Sequence, residues 1–195
     1  MHPRQVVIIG AGTSGLSAAV ALVDRGVRPL VVDRADQVGS SWRSRYDRLC
    51  LNTGRQFSHL PKRPYPKGTP TYPTRDQVIA HLEQHATDGG TELRLGCSTE
   101  RIERSRDGWR IITSGGVFEA PQVVMATGYD HEPFLPEWPG RESWIGDLVH
   151  SSRYANPAAF VGRTVLVVGS GSSGLELAFD LATGGAAKVW LAVRT

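Results

Sequence analysis

Cysteine is scarce in this chain, and its two cysteines, Cys50 and Cys97, do not form a C-x-x-C pair. This spacing argues against a dithiol redox enzyme and against a zinc site, and no metal site of another kind is expected. Long apolar runs are also missing, because none approaches the roughly 18 residues that a transmembrane helix needs. The first apolar stretch lacks a signal-peptide cleavage pattern. We therefore expect a cytoplasmic protein with no membrane partner.

An excess of charge of one sign is missing as well. The 22 Lys and Arg residues nearly balance the 19 Asp and Glu residues, so the net charge is only +3. The sequence pI is about 9.1, but no run concentrates the basic residues, which argues against a nucleic-acid partner. A hydrophobic fraction of 40% with 21% charged residues is ordinary for a globular protein and excludes a disordered or collagen-like chain.

Two strand–helix–strand patterns stand near the two ends of the 195-residue chain. Their strands and helices are predicted over residues 5–9, 16–23, 29–32, 164–168, 173–183 and 188–193. A β-α-β unit makes a parallel pair of strands. The expected fold class is therefore α/β of the Rossmann type, with two dinucleotide-binding domains.

The residues between the two patterns predict less regular structure. Several prolines interrupt residues 34–73, which are expected to be an irregular loop of functional importance. Thr74 and Gln77 form a capping box that predicts the start of a helix. Short strands between Glu92 and Ala120 predict a small β-meander at about residues 97–120. The first domain is expected to span 1–155, and 161–195 the start of a second, incomplete domain.

Each pattern carries a G-x-G-x-x-G turn between its first strand and its helix, beginning at Gly10 and at Gly169. The three glycines make a tight turn, let a pyrophosphate approach the backbone and let the helix pack close to the strand. The pyrophosphate then lies on the helix N-terminus, where free N–H groups and the helix dipole favour an anion. Both turns therefore predict a bound dinucleotide.

The two patterns differ at the end of their second strands. Asp33 ends the first pattern, and its carboxylate can accept hydrogen bonds from ribose hydroxyls. The second ends in Arg194 and Thr195, which favours NADP over NAD because these groups bind a 2′-phosphate that a carboxylate would repel. Two different dinucleotides, FAD and NADP(H), are the economical interpretation.

A longer motif from Trp144 to Tyr154 lies just before the second turn and has the sequence W-I-G-D-L-V-H-S-S-R-Y. It resembles the F-x-G-x-x-x-H-x-x-x-(F/Y) pattern of the class B flavoprotein monooxygenases, which include flavin-containing, plant YUCCA-type and Baeyer–Villiger enzymes. This copy has Trp in the first place. Further matches to the family are Gly39-Ser40-Ser41-Trp42, Tyr72-Pro73-Thr74, Ala126-Thr127-Gly128 and the helix after the second turn. The resemblance covers essentially the whole chain and implies that it is an N-terminal fragment.

The resemblance implies an NADPH-dependent flavoprotein monooxygenase. Such an enzyme forms a C4a-(hydro)peroxyflavin with dioxygen and oxygenates a nitrogen or sulfur atom of a small-molecule substrate. Baeyer–Villiger oxygenation is an alternative, although those enzymes usually have Trp at the place of Tyr154. YUCCA-like decarboxylation of a 2-oxo acid is another, favoured by residues 72–74. A flavin disulfide reductase would need a cysteine pair.

A different class of function also stays open, because members of this family continue beyond the strand that contains Arg194. The chain would then be a non-catalytic or split half-enzyme that binds flavin only or needs a complementing C-terminal fragment. A second copy of the chain, in a homodimer, is the alternative partner.

The resemblance also implies site residues. Asn52 falls where the flavin-containing enzymes place an asparagine beside the isoalloxazine, and its amide can both donate and accept hydrogen bonds, so it is the predicted catalytic residue. His150 is expected to have a structural or cofactor-positioning role. The turns and the resemblance together predict cofactor contacts at Gly10, Gly12, Thr13, Ser14, Gly15, Asp33, Arg34, Gly39, Trp42, Asn52, Thr53, Ala126, Thr127, Gly128, His150, Gly169, Gly171, Ser172, Ser173, Gly174, Arg194 and Thr195.

Overall fold

The computed structural model describes residues 5–193, and these residues divide into two compact units. Unit 1 comprises residues 5–43 and 50–131, and unit 2 comprises residues 44–49 and 132–193. Residues 132–155 therefore pack within unit 2, although the sequence places them in the first domain. The assignment of 1–155 and 161–195 to an FAD-binding and an NADP-binding domain stays a prediction.

Unit 1 contains, within its described residues, a four-stranded parallel sheet, a three-stranded antiparallel sheet and three α-helices. In chain order its elements are β1 (Val6–Ile9), α1 (Thr13–Val23), β2 (Leu30–Val32), α2 (Ser40–Arg43), α3 (Arg75–His85), β3 (Glu92–Arg94), β4 (Thr99–Ser105), β5 (Gly108–Thr113), β6 (Gly116–Ala120) and β7 (Gln122–Met125). The parallel sheet has the order β3-β2-β1-β7, and the antiparallel sheet has the order β4-β5-β6.

Strand β1 lies at the centre of the parallel sheet, and all four of its residues are buried. Ile8 pairs with Val31 of β2 on one side and with Val124 of β7 on the other. Because successive side chains of a strand point to opposite faces, Ile8 packs in the cluster that contains Leu16 of α1, whereas Val7 packs with Ile111 of β5. A strand covered on both faces is a continuous apolar run, as in this sequence.

Several local predictions are confirmed. The first β-α-β pattern forms parallel strands, and the capping box at the start of α3 has both its hydrogen bonds, from Gln77 N to Thr74 Oγ1 and from Thr74 N to Gln77 Oε1. The meander is present as β4, β5 and β6. Two details differ. Residues 92–94 form β3, which pairs with β2 in the parallel sheet instead of joining the meander, and α2 interrupts the loop 34–73.

Unit 2 contains β8 (Thr164–Val168), α4 (Ser172–Thr183) and β9 (Lys188–Ala192), and its two strands are parallel as predicted. Short 3-10 helices precede them at Arg141–Ser143, Ser151–Arg153 and Pro157–Phe160. Leu177 and Leu181 of α4 are buried in a cluster with Tyr46 and Tyr154. In residues 5–193, no helix has the length and apolar character needed to cross a bilayer.

Candidate functional site

The first glycine turn is shaped by close backbone packing. Gly10 has a φ of 113°, and a Cβ there would lie 2.2 Å from the Ala126 carbonyl oxygen. A Cβ on Gly15 would lie 1.8 Å from the Gly10 carbonyl oxygen, so α1 approaches β1 as closely as glycine permits. Gly12 differs, because the nearest described atom to its Cβ position is Ser41 Oγ at 4.0 Å. This turn leaves space for a group that closely approaches the backbone at Gly12.

The start of α1 suits a negatively charged ligand. Thr13 and Ser14 are exposed, and within the described chain no side chain caps this end and no acidic residue lies in its first turn. Backbone N–H groups in the first turn of a helix have no intrahelical acceptors. The helix dipole adds partial positive charge at the same place. Both effects favour a phosphate, so the residues present fit the pyrophosphate of a dinucleotide.

Asp33 lies directly after β2 and already holds the turn together. Its Oδ2 accepts a hydrogen bond from Ala11 N at 2.6 Å, and its Oδ1 accepts one from Ala35 N at 2.8 Å. An ionised carboxylate has about four acceptor positions. Asp33 therefore keeps acceptor capacity for ribose hydroxyls while it orders the backbone between Gly10 and Gly12.

A cleft of about 440 Å³ lies at the carboxyl end of β1 and β2. Asp33, Arg34 and Thr127 line it, together with residues 97–102 and His131. Arg34 Nη2 lies 3.3 Å from His131 Nδ1. His131 is far from Arg34 along the chain and belongs to no recognised motif, so no sequence signal predicted it. Ligands of open α/β sheets bind at this edge, so the cleft is the candidate site for the adenosine part of a dinucleotide.

The remaining predicted residues of unit 1 lie either beside the first turn or in the loop that follows α2. Gly39 and Trp42 adjoin the first turn, because Gly39 N donates to Ala11 O at 3.1 Å and Trp42 Nε1 donates to Thr13 Oγ1 at 3.0 Å. Asn52 and Thr53 are exposed in the following loop and do not line the cleft. Ala126, Thr127 and Gly128 follow β7 beside the turn, and Ala126 N donates to Ile9 O at 2.8 Å.

The second glycine turn, in unit 2, has the same close approach of helix to strand as the first. Gly169 has a φ of 105°, and a Cβ on Gly174 would lie 1.9 Å from the Gly169 carbonyl oxygen. No described atom lies within 4 Å of the Cβ position of Gly171, and Ser172 and Ser173 are exposed at the uncapped start of α4. This turn also fits a pyrophosphate. The predicted 2′-phosphate contacts, Arg194 and Thr195, lie outside the described residues.

His150 has a local structural partner. Its Nδ1 accepts a hydrogen bond from Ser152 N at 3.1 Å, so the His150 side chain caps the 3-10 helix Ser151–Arg153, and the same Nδ1 lies 2.9 Å from Ser152 Oγ. The expected role of His150, structural or cofactor-positioning, stays a prediction.

A buried histidine lies on α3, away from both turns. His81 is 3% exposed, its Nε2 accepts from Leu60 N at 3.2 Å, and its ring stacks on Tyr65 at 4.2 Å between centroids. Burial, with the neighbouring His85 and His59, lowers the pKa of His81 to about 4. The imidazole is therefore neutral at pH 7. Because Nε2 accepts, the proton is on Nδ1, which has no hydrogen-bond partner among the described residues.

A network of ion pairs adjoins this histidine. Arg63 lies 3.0 Å from Asp24 Oδ1 and 3.1 Å from Asp88 Oδ2, and His85 Nδ1 lies 2.6 Å from the same Asp88 oxygen. Hydrogen bonding to Arg63 lowers the pKa of Asp24. Partial burial raises the pKa of Asp88, but hydrogen bonds from His85 and Arg63 outweigh it, so the net pKa is lowered. In the described chain, no three or more His, Cys, Asp or Glu side chains are arranged to hold a metal ion.

The cysteines do not form a redox pair. Cys50 is exposed, whereas Cys97 is buried and its Sγ donates to Thr113 Oγ1 at 3.1 Å. Both are free thiols in the part of the chain that the structure describes. The site geometry is therefore that of two glycine turns that fit a phosphate, without a dithiol.

This geometry has a counterpart among known proteins. The protein family described as "Pyridine nucleotide-disulphide oxidoreductase" matches residues 7–195, and the chain belongs to this family. Within it, the resemblance to class B flavoprotein monooxygenases and the two-dinucleotide Rossmann-type fold are both confirmed.

Similar sequences and structures agree with this classification. The chain is 42% identical over 184 residues to indole-3-pyruvate monooxygenase YUCCA1 of Oryza sativa subsp. japonica, covering 92% of this chain and 45% of that protein. It is similar to the flavin-containing monooxygenase from Stenotrophomonas maltophilia, with a TM-score of 0.88, 29% identity and coverage of 100% and 59%.

It is also similar to the S-allyl-L-cysteine S-oxygenase from Allium sativum, with a TM-score of 0.85, 26% identity and coverage of 98% and 51%. The chain spans less than half the length of the curated relative it matches.

Proposed function

We propose that this chain forms the dinucleotide-binding part of an FAD- and NADPH-dependent monooxygenase. The observation that carries the proposal is the open space at Gly12 and at Gly171, each at the uncapped start of a helix. Two such places in one chain favour two dinucleotides. The flavin monooxygenase relatives support FAD and NADP(H) as the pair.

FAD is assigned to the first turn. Its pyrophosphate would bind at Gly10, Gly12 and Gly15 with Thr13 and Ser14, and Asp33 would accept from the ribose. Arg34 and Thr127 line the cleft proposed for the adenosine part. Gly39, Trp42, Asn52, Thr53, Ala126 and Gly128 complete the predicted flavin environment. The domain that binds FAD is proposed to be residues 1–155.

NADP(H) is assigned to the second turn, where Gly169, Gly171 and Gly174 would surround the pyrophosphate with Ser172 and Ser173. Arg194 and Thr195 are the proposed contacts of the 2′-phosphate, since a guanidinium binds a phosphate through paired hydrogen bonds. His150 is proposed to help position this cofactor. Residues 161–195 are proposed to begin the domain that binds it.

The protein and the cofactors divide the chemistry between them. When bound, reduced flavin supplies the activation of dioxygen with electrons that come from NADPH. The side chains orient the two cofactors and exclude water from the reacting centre. Asn52 is the proposed catalytic residue, because a carboxamide can donate and accept hydrogen bonds at the same time beside the isoalloxazine.

A 2-oxo acid is the substrate class that we favour. The support is the 42% identity to an indole-3-pyruvate monooxygenase, together with residues 72–74. The reaction is 2-oxo acid + O2 + NADPH + H⁺ → shortened carboxylic acid + CO2 + NADP⁺ + H2O. The C1–C2 bond breaks, one oxygen atom enters the new carboxylate and the other forms water. Oxygenation of a nitrogen or sulfur atom is the second candidate, favoured by the similarity to an S-oxygenase structure.

The test begins with the purified chain and its flavin absorbance after incubation with FAD. NADPH oxidation is then followed with indole-3-pyruvate, with a thioether and with a tertiary amine. Release of one CO2 per NADPH with the 2-oxo acid supports the favoured class, and a sulfoxide or N-oxide supports the second. A flavin-loaded chain that oxidises no NADPH overturns the proposal of activity and leaves the alternative of a flavin-binding half-enzyme.

A further inference from the structure

Helix α4 carries a buried carboxylate that the two glycine turns do not require. Asp180 is only 3% exposed. Its Oδ1 accepts a hydrogen bond from Arg48 Nη1 at 2.9 Å, and its Oδ2 accepts one from the Tyr154 hydroxyl at 2.7 Å. A buried carboxylate is costly unless it is paired and hydrogen-bonded, so the position of α4 depends on these two partners.

The hydroxyl of Tyr154 acts as a hydrogen-bond donor to the Asp180 carboxylate. Burial, and after it the hydrogen bond to Asp180, raise the pKa of Tyr154 above its usual value. The tyrosine therefore keeps its proton throughout the physiological range and donates it to the carboxylate. Tyr154 is also the last residue of the motif that begins at Trp144. The end of that motif is therefore hydrogen-bonded to α4.

Two further contacts lie on the same side of α4. The Tyr46 hydroxyl donates to Glu176, and Arg48 Nη1 also donates to Thr183 Oγ1 at 2.9 Å. Glu176, Asp180 and Thr183 are spaced by four and three residues, so they form one stripe along the helix. Hydrogen bonds at successive turns of α4 fix both its rotation about its own axis and its position along that axis. A slip by one residue, about 1.5 Å, would break them all.

The first helix has the same glycine turn without this stripe. When Gly10 is aligned with Gly169, the residues that correspond to Glu176 and Asp180 are Ser17 and Ala21. Helix α1 is held instead by apolar packing on a four-stranded sheet. Among the described residues, α4 packs on the two strands β8 and β9. The carboxylate stripe is therefore a property of the second turn alone.

We propose that Asp180, held by Arg48 and Tyr154, is a positioning residue for the dinucleotide at the second turn, an inference that rests on the proposed function. A short α-helix moves as a rigid rod. The contacts at Asp180 therefore set where the first-turn N–H groups of α4 meet the pyrophosphate. NADP⁺ and NAD⁺ share this pyrophosphate, so the effect is the same for both, unlike that of a 2′-phosphate contact.

The test is a calorimetric titration of the full chain with NADP⁺ and with NAD⁺. Tyr154→Phe removes one hydroxyl and keeps the ring. We expect it to raise both dissociation constants by the same factor, about 3- to 10-fold, the range that corresponds to one typical net hydrogen bond. Tyr129→Phe, the same change at an exposed tyrosine, is the matched control and leaves both constants unchanged.

A second pair of variants keeps the inference testable if Tyr154→Phe folds poorly. Arg48→Met removes the cation and retains a long side chain, whereas Arg48→Lys restores a cation. We expect Arg48→Met to weaken binding of both dinucleotides and Arg48→Lys to recover most of the loss. Equal weakening by the two variants would overturn the inference.

Leu177→Val separates positioning from general stability, because it trims the buried face of α4 and leaves the stripe intact. If Leu177→Val weakens binding as much as Tyr154→Phe for the same loss in melting temperature, the role is structural and the inference is wrong. A wild-type chain that binds neither dinucleotide overturns the proposed function and this inference with it. If the wild-type chain binds but Tyr154→Phe changes nothing, only the inference fails.

Discussion

The indole Nε1 of Trp42 donates a hydrogen bond to Oγ1 of Thr13, over 3.0 Å. Thr13 is the first residue of α1, and Trp42 belongs to α2, in the long loop after β2. A contact between residues so far apart in sequence holds the loop against the start of α1. The loop is therefore ordered by the same turn that is proposed to bind FAD.

Removal of this bond is expected to weaken FAD binding without unfolding the chain. Trp42→Phe and Thr13→Val each lose the bond, and we expect each to raise the FAD dissociation constant by about 3- to 10-fold. Because both variants remove the same bond, the double variant is expected to be no weaker than the worse single one. Fluorescence titration of FAD measures all four proteins. Additive losses would show that the bond carries none of the effect.

Gly12 and Gly15 are expected to respond in opposite ways to a single added methyl group. Gly12→Ala meets open space and an ordinary φ of −85°, so the melting temperature stays near that of the wild type while the FAD dissociation constant rises by at least about tenfold. Gly15→Ala would place a Cβ 1.8 Å from Gly10 O, so the fold itself is lost or strongly destabilised. Thermal melts with and without FAD measure both. Tight FAD binding by Gly12→Ala would contradict the proposed phosphate site.

Because the pKa of buried His81 is lowered, we expect the free energy of unfolding to fall at acidic pH. The pKa of His81 is about 4 in the folded chain and about 6.5 when unfolded. The unfolded chain binds more protons between these values, so the His81 contribution is complete above pH 6.5 and is lost as the pH falls towards 4. We expect a loss on the order of 2 kcal/mol, discounted from the full shift.

Urea unfolding at a series of pH values measures this loss. His81→Gln retains an acceptor for Leu60 N and is expected to flatten the dependence between pH 6.5 and 4. His150→Gln, the same change at a histidine of unit 2, is the control. Asp24 and Asp88, whose pKa values are lowered, contribute to acid sensitivity at still lower pH. An unchanged slope in His81→Gln would assign the transition to other groups.

Arg194→Ala tests the proposed 2′-phosphate contact. A lost guanidinium–phosphate pair is expected to raise the dissociation constant of NADP⁺ by about 10- to 100-fold. The constant for NAD⁺, which lacks the 2′-phosphate, is expected to change little. Titration with both dinucleotides gives the ratio directly. An equal rise in the dissociation constants of NADP⁺ and NAD⁺ would discard the 2′-phosphate role. Arg194 would then have only a general electrostatic role.

Asn52→Ala tests the proposed catalytic amide in the full protein. We expect FAD to remain bound, since the residue is exposed and outside the adenosine cleft. NADPH oxidation would continue, but more of the electrons would appear as hydrogen peroxide and less as oxygenated product. Gln84→Ala, which removes a carboxamide at an exposed position of α3, is the control. Unchanged product per NADPH in Asn52→Ala would remove this residue from the chemistry.

Local signals predicted much of the fold. The capping box of Thr74 and Gln77 lies within one turn of helix, and both of its bonds are present. Each glycine turn lies between an apolar strand and a helix, so its conformation is determined by neighbouring residues. Three-residue strand β3 could not be predicted as part of the parallel sheet, because its partner β2 is remote in sequence and so short a strand has no periodicity.

Contacts between residues remote in sequence also explain why His131 and Asp180 could not be predicted as site residues. His131 lines the cleft beside Arg34, from which it is separated by 97 residues, and no spacing rule relates two residues so far apart in sequence. Asp180 has an ordinary place on an amphipathic helix. Its importance comes from Arg48 and Tyr154, which contact it from distant parts of the chain.

The membership of residues 44–49 in unit 2 has a practical consequence for any attempt to express the units separately. Arg43 and Cys50, on either side of this segment, belong to unit 1. If the chain were divided only after residue 131, Tyr46 and Arg48 would stay with unit 1. Asp180 in unit 2 would then lose its cationic partner, Arg48. A separate unit 2 therefore needs residues 44–49 grafted onto it, as in a circularly permuted chain.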